Sequence, residues 1–323
     1  MLCACLDCWR MKPNRFCSTA CAARPAAAGG ALWLALPFTL VWASAFPAAK
    51  FVFVDSPPLL FLSVRFLCAG LLLTAWAIGR GEFRRTGLPT GRDWLALALL
   101  ALLNHAVYLG VSWTGMRQLS SGLATILISA SPIVVAVLAA LWLGEPLGKR
   151  KLVGLALGFA GVAFIVRHRL QGGADTWQGV LLVLVALASL SAGTVLYKRL
   201  PLRLGVVAHA GLQMLLAGVL LSPVALSVES VADVRLTPTL WGAFAWLLGV
   251  VSLAGYVMWF TLLRRYSASA ASAWFFLTPA LGLLMGWAVL GEPLSAWDLL
   301  GIVPVAWGIA LVVQASGAGA VKR

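Results

Sequence analysis

Charge is what this 323-residue sequence has least of. Asp, Glu, Lys and Arg together make up 11% of it, where an average soluble domain carries roughly 25%. Hydrophobic residues make up 62%, and the mean hydropathy is +0.96. So little polar surface cannot clothe a globule in water, and lipid is the natural solvent for the remainder. Acidic residues are the scarcest of all, ten against 24 basic ones. They are Asp7, Asp55, Glu82, Asp93, Glu145, Asp175, Glu229, Asp233, Glu292 and Asp298, and all fall in tails, loops or helix ends. With no carboxylate at mid-membrane depth, a proton relay of the Asp/Glu type has no candidate; His105 and His209 are the groups left that could titrate.

Several chemistries are missing too. No Gly-Lys-Ser/Thr phosphate loop is present, which excludes a built-in ATP motor, and no His-Glu-x-x-His metal helix. No nucleophile motif supports intramembrane proteolysis. Neither a cofactor nor a metal is called for. The six cysteines do not form a framework: Cys3, Cys5, Cys8, Cys17 and Cys21 crowd the first 21 residues and Cys68 lies in an apolar run. The tail has no His and no standard zinc spacing. It also has no uninterrupted apolar core with a cleavage site, as a signal peptide would. A disordered cytoplasmic tail over 1–30 is expected. The net charge of +14 does not indicate nucleic acid, because the basic residues sit between apolar runs and form no basic domain.

What is present is a series of apolar runs of about 20 residues, the length that crosses a bilayer core. Ten are expected, at 31–50, 58–79, 93–114, 119–143, 149–166, 177–197, 205–227, 238–262, 268–290 and 296–314. With the N-terminus placed inside, the inner segments hold 18 Lys and Arg and the outer ones 5. That bias puts both termini in the cytoplasm.

The chain also repeats itself. Residues 112–166 align without gaps to 259–313. Thr114 meets Thr261, Arg117 meets Arg264, Ser120 meets Ser267 and Pro132 meets Pro279. Leu143-Gly144-Glu145-Pro146-Leu147 recurs as Leu290-Gly291-Glu292-Pro293-Leu294. Each half therefore holds five helices, at 31–172 and 173–315, followed by a short tail at 316–323. Five is odd, so the second half enters the membrane upside down. The expected fold class is an all-α membrane protein of two inverted five-helix repeats, a frequent plan for secondary transporters.

The Gly-Glu-Pro turn has a local logic. Gly144 and Gly291 can end a helix with positive φ, and Pro146 and Pro293 suit a first helical turn. Glu145 and Glu292 then stand near the start of the next helix, where negative charge is favoured. With Trp42 in the first helix, Arg65 in the second, Pro132 and Pro279 in the fourth and ninth, and the Gly154/Gly161 and Gly301/Gly308 pairs, the sequence over about 31–315 resembles the EamA-type branch of the drug/metabolite transporter superfamily. That resemblance implies a bacterial inner-membrane carrier exporting amino acids, related metabolites or drugs.

Polar residues within spans are few. Arg65 costs roughly 2.5–3.5 kcal/mol at a helix centre, so it should face the interior or snorkel outward; a carboxylate ligand and an interhelical hydrogen bond would each compensate it. Lys50 is expected to snorkel. Asn104 and Tyr108 share a helix face, with His105 about 100° away from Asn104. His209 and Gln213 form a second i, i+4 pair. Trp42, Trp113, Tyr256, Trp259, Trp274 and Phe275 are available for an aromatic wall. The substrate-site candidates are Trp42, Arg65, Asn104, Tyr108, Gln213, Tyr256 and Trp274, around a central cavity between the halves. The expected partners are a small-molecule substrate and the bilayer, with a homodimer left open. An intramembrane enzyme acting on a lipid or prenyl group, or a membrane scaffold, is the alternative reading.

Topology can be tested directly. Reporter fusions after residues 172 and 232 should read outside, and after residues 86 and 201 inside. A reversed or mixed pattern would defeat the orientation drawn from the Lys/Arg bias.

Overall fold

A computed structural model describes residues 28–145, 147–171, 175–200 and 202–319. The five tail cysteines and Pro146 lie outside the described residues. Ten long helical elements follow one another: α1 Ala28–Asp55, α2 Pro58–Gly79, α3 Gly91–Met116, α4 Ser121–Leu143, α5 Lys149–Gln171, α6 Trp177–Arg199, α7 Val206–Val228, α8 Pro238–Arg265, α9 over 268–290 and α10 Ala296–Gly319. No strand occurs among the described residues. Helix α1 runs on past residue 50 to Asp55, through Pro37 and Pro47, and stops before Pro57 and Pro58.

Each helix turns one stripe inward and shows the other to lipid. On α1, Ala35, Phe38, Trp42, Phe46 and Ala49 are buried at three- and four-residue steps, while Leu36, Leu40 and Val54 are exposed. In water this outer face would be a liability; in a bilayer it is the solvent contact.

The packing obeys the repeat. Helices α2 and α7 pack together, as do α5 and α10, and α4 and α9. Packing of α3 on α6 is matched by α8 on α1, and of α4 on α6 by α9 on α1. Exchanging the two halves carries this set of pairs onto itself. Glycines allow the closest approaches. A Cβ on Gly308 would stand 2.4 Å from the Gly154 carbonyl oxygen, and one on Gly161 2.8 Å from that of Gly301. The small-residue faces of α5 and α10 thus meet each other, backbone against backbone.

Proline and glycine shape α4 and α9. Pro132 and Pro279 have no N–H to give the helical ladder, and both stand in the first turn of a new segment, Ser131–Leu143 and Thr278–Leu290. Gly144 and Gly291 close those segments at φ +67° each. The next amides fold back, Glu145 N–H to the Ala139 carbonyl at 3.2 Å and Glu292 N–H to that of Gly286 at 3.1 Å.

Beyond the turn the carboxylates do something unexpected. Both cross to the other half, Glu145 while also pairing with Lys151 in the first turn of the helix that follows it, Oε2 to Nζ at 3.9 Å. Glu292 accepts the backbone N–H of Ser121 at 2.7 Å and of Gly122 at 3.1 Å, at the start of α4. Glu145 accepts the Ser269 hydroxyl at 2.6 Å, at the start of α9. Another pair makes the same exchange. Glu229 accepts the N–H groups of Leu59 and Leu60 at 3.1 and 2.8 Å, at the start of α2, and Glu82 accepts that of Ala208 at 3.0 Å, at the start of α7. The unbonded N–H groups of a helix start attract any carboxylate within reach. Here the nearest carboxylate belongs to the opposite repeat.

Removing such a cap should cost about 1–2 kcal/mol. Glu292→Ala and Glu229→Ala should each lower the detergent-solubilised melting temperature, and the double variant should lose about the sum, since the caps serve separate helices. Losses no larger than those of ordinary surface changes, about 0.5 kcal/mol, would show that the crossed caps do not hold the halves together.

Candidate functional site

Helices α3 and α8 each depart from α geometry at their centres. Residues Leu102–Val107 and Trp246–Gly255 are π-helical, the wider turn that often marks functional sites. A π turn advances less per residue than an α turn. Asn104, His105 and Tyr108 are all buried as a result, at 3%, 0% and 2% exposure. The two residues still face different neighbours, His105 meeting Phe66 and Tyr256 while Asn104 meets Gln213 and Gly193, and nothing in the sequence marks the wider turn.

Between α1, α2, α3 and α8 lies a cavity of about 20 Å³, lined by Trp42, Phe46, Arg65, Tyr108, Trp113 and Tyr256 among others. Four of the seven substrate-site candidates are thus brought together. The Trp42 ring stands 6.4 Å from that of Tyr108, in parallel, and 5.4 Å from that of Tyr256. Phe38, Trp259 and Phe275 close around Trp42 and each other at ring distances of 4.9–5.5 Å. Trp274 is not in this wall. It is partly exposed, and Phe275 takes the inward position, because residues 273–277 form a 3-10 turn with a tighter period than the α-helix assumed. Phe46 also lines the cavity, and the sequence offers no sign of it beyond apolarity.

Arg65 is the one charged group in the cavity lining. It is 1% exposed, so it does not snorkel. Its guanidinium carbon lies 5.1 Å from the Phe66 ring centre and 5.2 Å from that of Trp113. Cation–π contact offsets part of its desolvation. Its Nε has no hydrogen-bond partner among the described residues, and neither does the Tyr256 hydroxyl. A buried guanidinium flanked by aromatic faces, with a donor unused, has the chemistry that recognises a planar anion.

Asn104 and Gln213 lie outside the lining and bond to each other, Nδ2 donating to Oε1 at 3.4 Å. Gln213 also bonds His209. The Asn104 side chain sits over Gly193 of α6, where a Cβ would approach its oxygen to 2.1 Å. The His209 ring meets Tyr197 edge-on at 4.7 Å, and Tyr197 accepts from Arg264 Nε at 3.2 Å. These side chains form a polar seam joining α3, α6, α7 and α8.

Lys50 corrects another expectation. Its ammonium does not snorkel but donates to the carbonyls of Met116, at 2.6 Å, and Leu119. Met116 ends α3 and Leu119 lies in the turn just beyond it, where the Met116 carbonyl also accepts the Leu119 N–H at 3.4 Å. Glu292 and Asp175 are the carboxylates facing it. Asp175 in turn accepts the Ser120 N–H at 2.5 Å. This cluster stands at the end of α3. In the second half Lys198 faces Glu145, one residue beyond Tyr197, which the 147-residue spacing aligns with Lys50.

Comparison with known proteins gives the same architecture. The profile described as the EamA-like transporter family matches residues 29–167 and again 177–314. The chain is 32% identical over 273 residues to the transporter YvbV of Bacillus subtilis, covering 84% of this chain and 88% of that one. It is 30% identical over 280 residues to the inner membrane transporter YedA of Escherichia coli K12, covering 84% and 87%. A solved crystal structure superposes with a TM-score of 0.69 over 89% of this chain and 98% of the other; at 17% identity it speaks to the fold alone. Two copies of one profile on a ten-helix frame, with such relatives over most of both lengths, place the chain as a multi-pass membrane protein that belongs to the EamA-like transporter family.

Proposed function

We propose that this protein is a secondary carrier of the bacterial inner membrane, both termini inside, which exports small carboxylate-bearing metabolites, amino acids and their relatives among them, by alternating access. The observation that carries the reading is Arg65: buried, uncompensated and open to a cavity between the repeats. A substrate carboxylate supplies the missing charge and the missing acceptor. The aromatic faces of Trp42, Tyr108 and Tyr256 accommodate an apolar side chain beside it.

At about 20 Å³ the cavity has room for one water molecule and is too small for a metabolite. Loading therefore needs one side to open. Inverted repeats open by exchanging conformations, and the lysine clusters give that exchange a concrete form. Lys50 seals the outer side on the carbonyls of Met116 and Leu119. The repeat maps these residues to Leu263 and Tyr266. In the outward-open form, Lys198 takes up the equivalent seat while Lys50 lets go.

Two measurements test this reading. Metabolite profiling with and without the protein selects substrates, and proteoliposomes measure their flux. Arg65→Lys keeps the charge and loses the planar fork. It should insert normally and bind a carboxylate substrate about tenfold more weakly, the worth of one charge-assisted hydrogen bond; wild-type transport by this variant would remove Arg65 from substrate binding. For the seal, a cysteine at Ser112, which lines the cavity, is placed in a background with all six native cysteines replaced by Ser. Lys50→Met should speed its labelling by an impermeant thiol reagent added outside, and Lys198→Met should not. Equal labelling in both would take Lys50 out of the outer seal.

A further inference from the structure

His105 is the buried titratable group that the carboxylate site leaves unused. It is fully buried, and neither ring nitrogen has a hydrogen-bond partner among the described residues. A polar residue serving only as interhelical glue would show a bond to another helix, as Asn104 does across to α7. His105 instead stacks on Tyr256 at 4.7 Å and meets the edge of Phe66 at 5.5 Å. Phe66 is also the ring beneath the Arg65 guanidinium, at 5.1 Å, and Tyr256 lines the same cavity as Arg65. One aromatic side chain therefore separates the two groups.

The groups facing His105 are Arg65 from α2, His209 from α7 and Tyr256 from α8, with Tyr108 on its own helix. From α6, Ser189 is engaged with the Leu103 carbonyl at 2.8 Å, and Tyr197 lies beyond His209. Every described Asp and Glu is at a helix end or in a loop. The only full charge close to His105 is therefore the guanidinium.

We infer that His105 is the proton-binding residue of the carrier, taking a proton from water when a carboxylate occupies Arg65 and returning it when the carboxylate leaves. This rests on the carboxylate reading of Arg65. The imidazole lone pair forms the new N–H bond as an O–H bond of hydronium breaks and leaves water, and the reverse transfer restores hydronium when the carboxylate departs. An imidazolium beside an uncompensated guanidinium in a dry interior is repelled, and a carboxylate on Arg65 cancels that repulsion. Linkage makes the effect mutual: a proton on His105 also strengthens the hold on the carboxylate. Both then occupy the site together and cross together. The carrier moves one proton with each carboxylate, in the same direction, and for a monocarboxylate the pair is neutral.

The test uses the full chain in nanodiscs with benzoate as probe, an anion joined to an apolar ring. Trp42 and Trp113 line the cavity, so benzoate binding should quench tryptophan fluorescence. In weakly buffered, mildly acidic solution, wild type should take up about one proton per benzoate bound. His105→Gln should still bind benzoate and take up none. Binding without uptake in wild type, or equal uptake by His105→Gln, overturns the proton role and leaves the carboxylate reading standing. Absence of quenching in wild type counts against the carboxylate reading itself. A second arm needs no ligand. The chain has three histidines, His105, His168 and His209, so nitrogen-15 histidine NMR resolves each ring, with His105→Gln giving the assignment. Arg65→Gln should populate the His105 imidazolium at least about tenfold more than wild type at the same pH, and Arg65→Lys should not. An unchanged His105 signal in a folded Arg65→Gln protein also overturns the inference.

Discussion

The structure depends on carboxylates exchanged between its halves. A helix start buried in a membrane has N–H groups that no water can satisfy. This chain meets that need with Glu82, Glu229 and Glu292, each bonded to N–H groups of the counterpart repeat, while Glu145 crosses in the same way to the Ser269 hydroxyl. Glu82 and Glu145 follow α2 and α4, Glu229 and Glu292 follow α7 and α9, so each membrane face carries one pair. Four of only ten acidic residues are committed in this way. The glycine faces of α5 and α10 add a contact that needs no polar group. The halves are thus tied at both membrane faces, and the interior between them is left for a site.

That interior explains the economy of charge. A cation at mid-depth is expensive in lipid, and this chain places one there with no acid beside it. Aromatic faces soften the cost without removing it. The uncompensated remainder is an affinity for anions. Had a glutamate been placed beside Arg65, the helices would pack more stably and the receptor would be lost.

Much of this frame is legible in the sequence, because a membrane leaves few choices. Apolar length gives the spans, and the repeated Gly-Glu-Pro turn gives the fivefold division of each half. The capping glutamates could have been found as well: Glu82 and Glu229 stand at the same 147-residue spacing as Glu145 and Glu292, outside the stretch that aligns without gaps. What sequence could not supply is local winding. The π turns at the centres of α3 and α8 have no signature in the residues that form them, and the 3-10 turn of α9 exchanges Trp274 for Phe275. Each depends on a tertiary compromise that leaves no mark in periodicity. Lys50 was misread for a related reason: the carbonyls it serves belong to another helix, far away in sequence.

The repeat is faithful in its frame and unfaithful at its centre. At the spacing that relates the glutamates, Arg65 corresponds to Leu212 and His105 to Ser252. On the alternating-access proposal, two identical halves would make the inward and outward forms two-fold-related copies of equal energy. With the charge on α2 alone, those forms would differ in how they hydrate and surround it. The empty carrier would then have a resting orientation, and a solute approaching from the two compartments would meet two unequal receptors. Sidedness in this protein is a property of its broken symmetry, present before any gradient is applied.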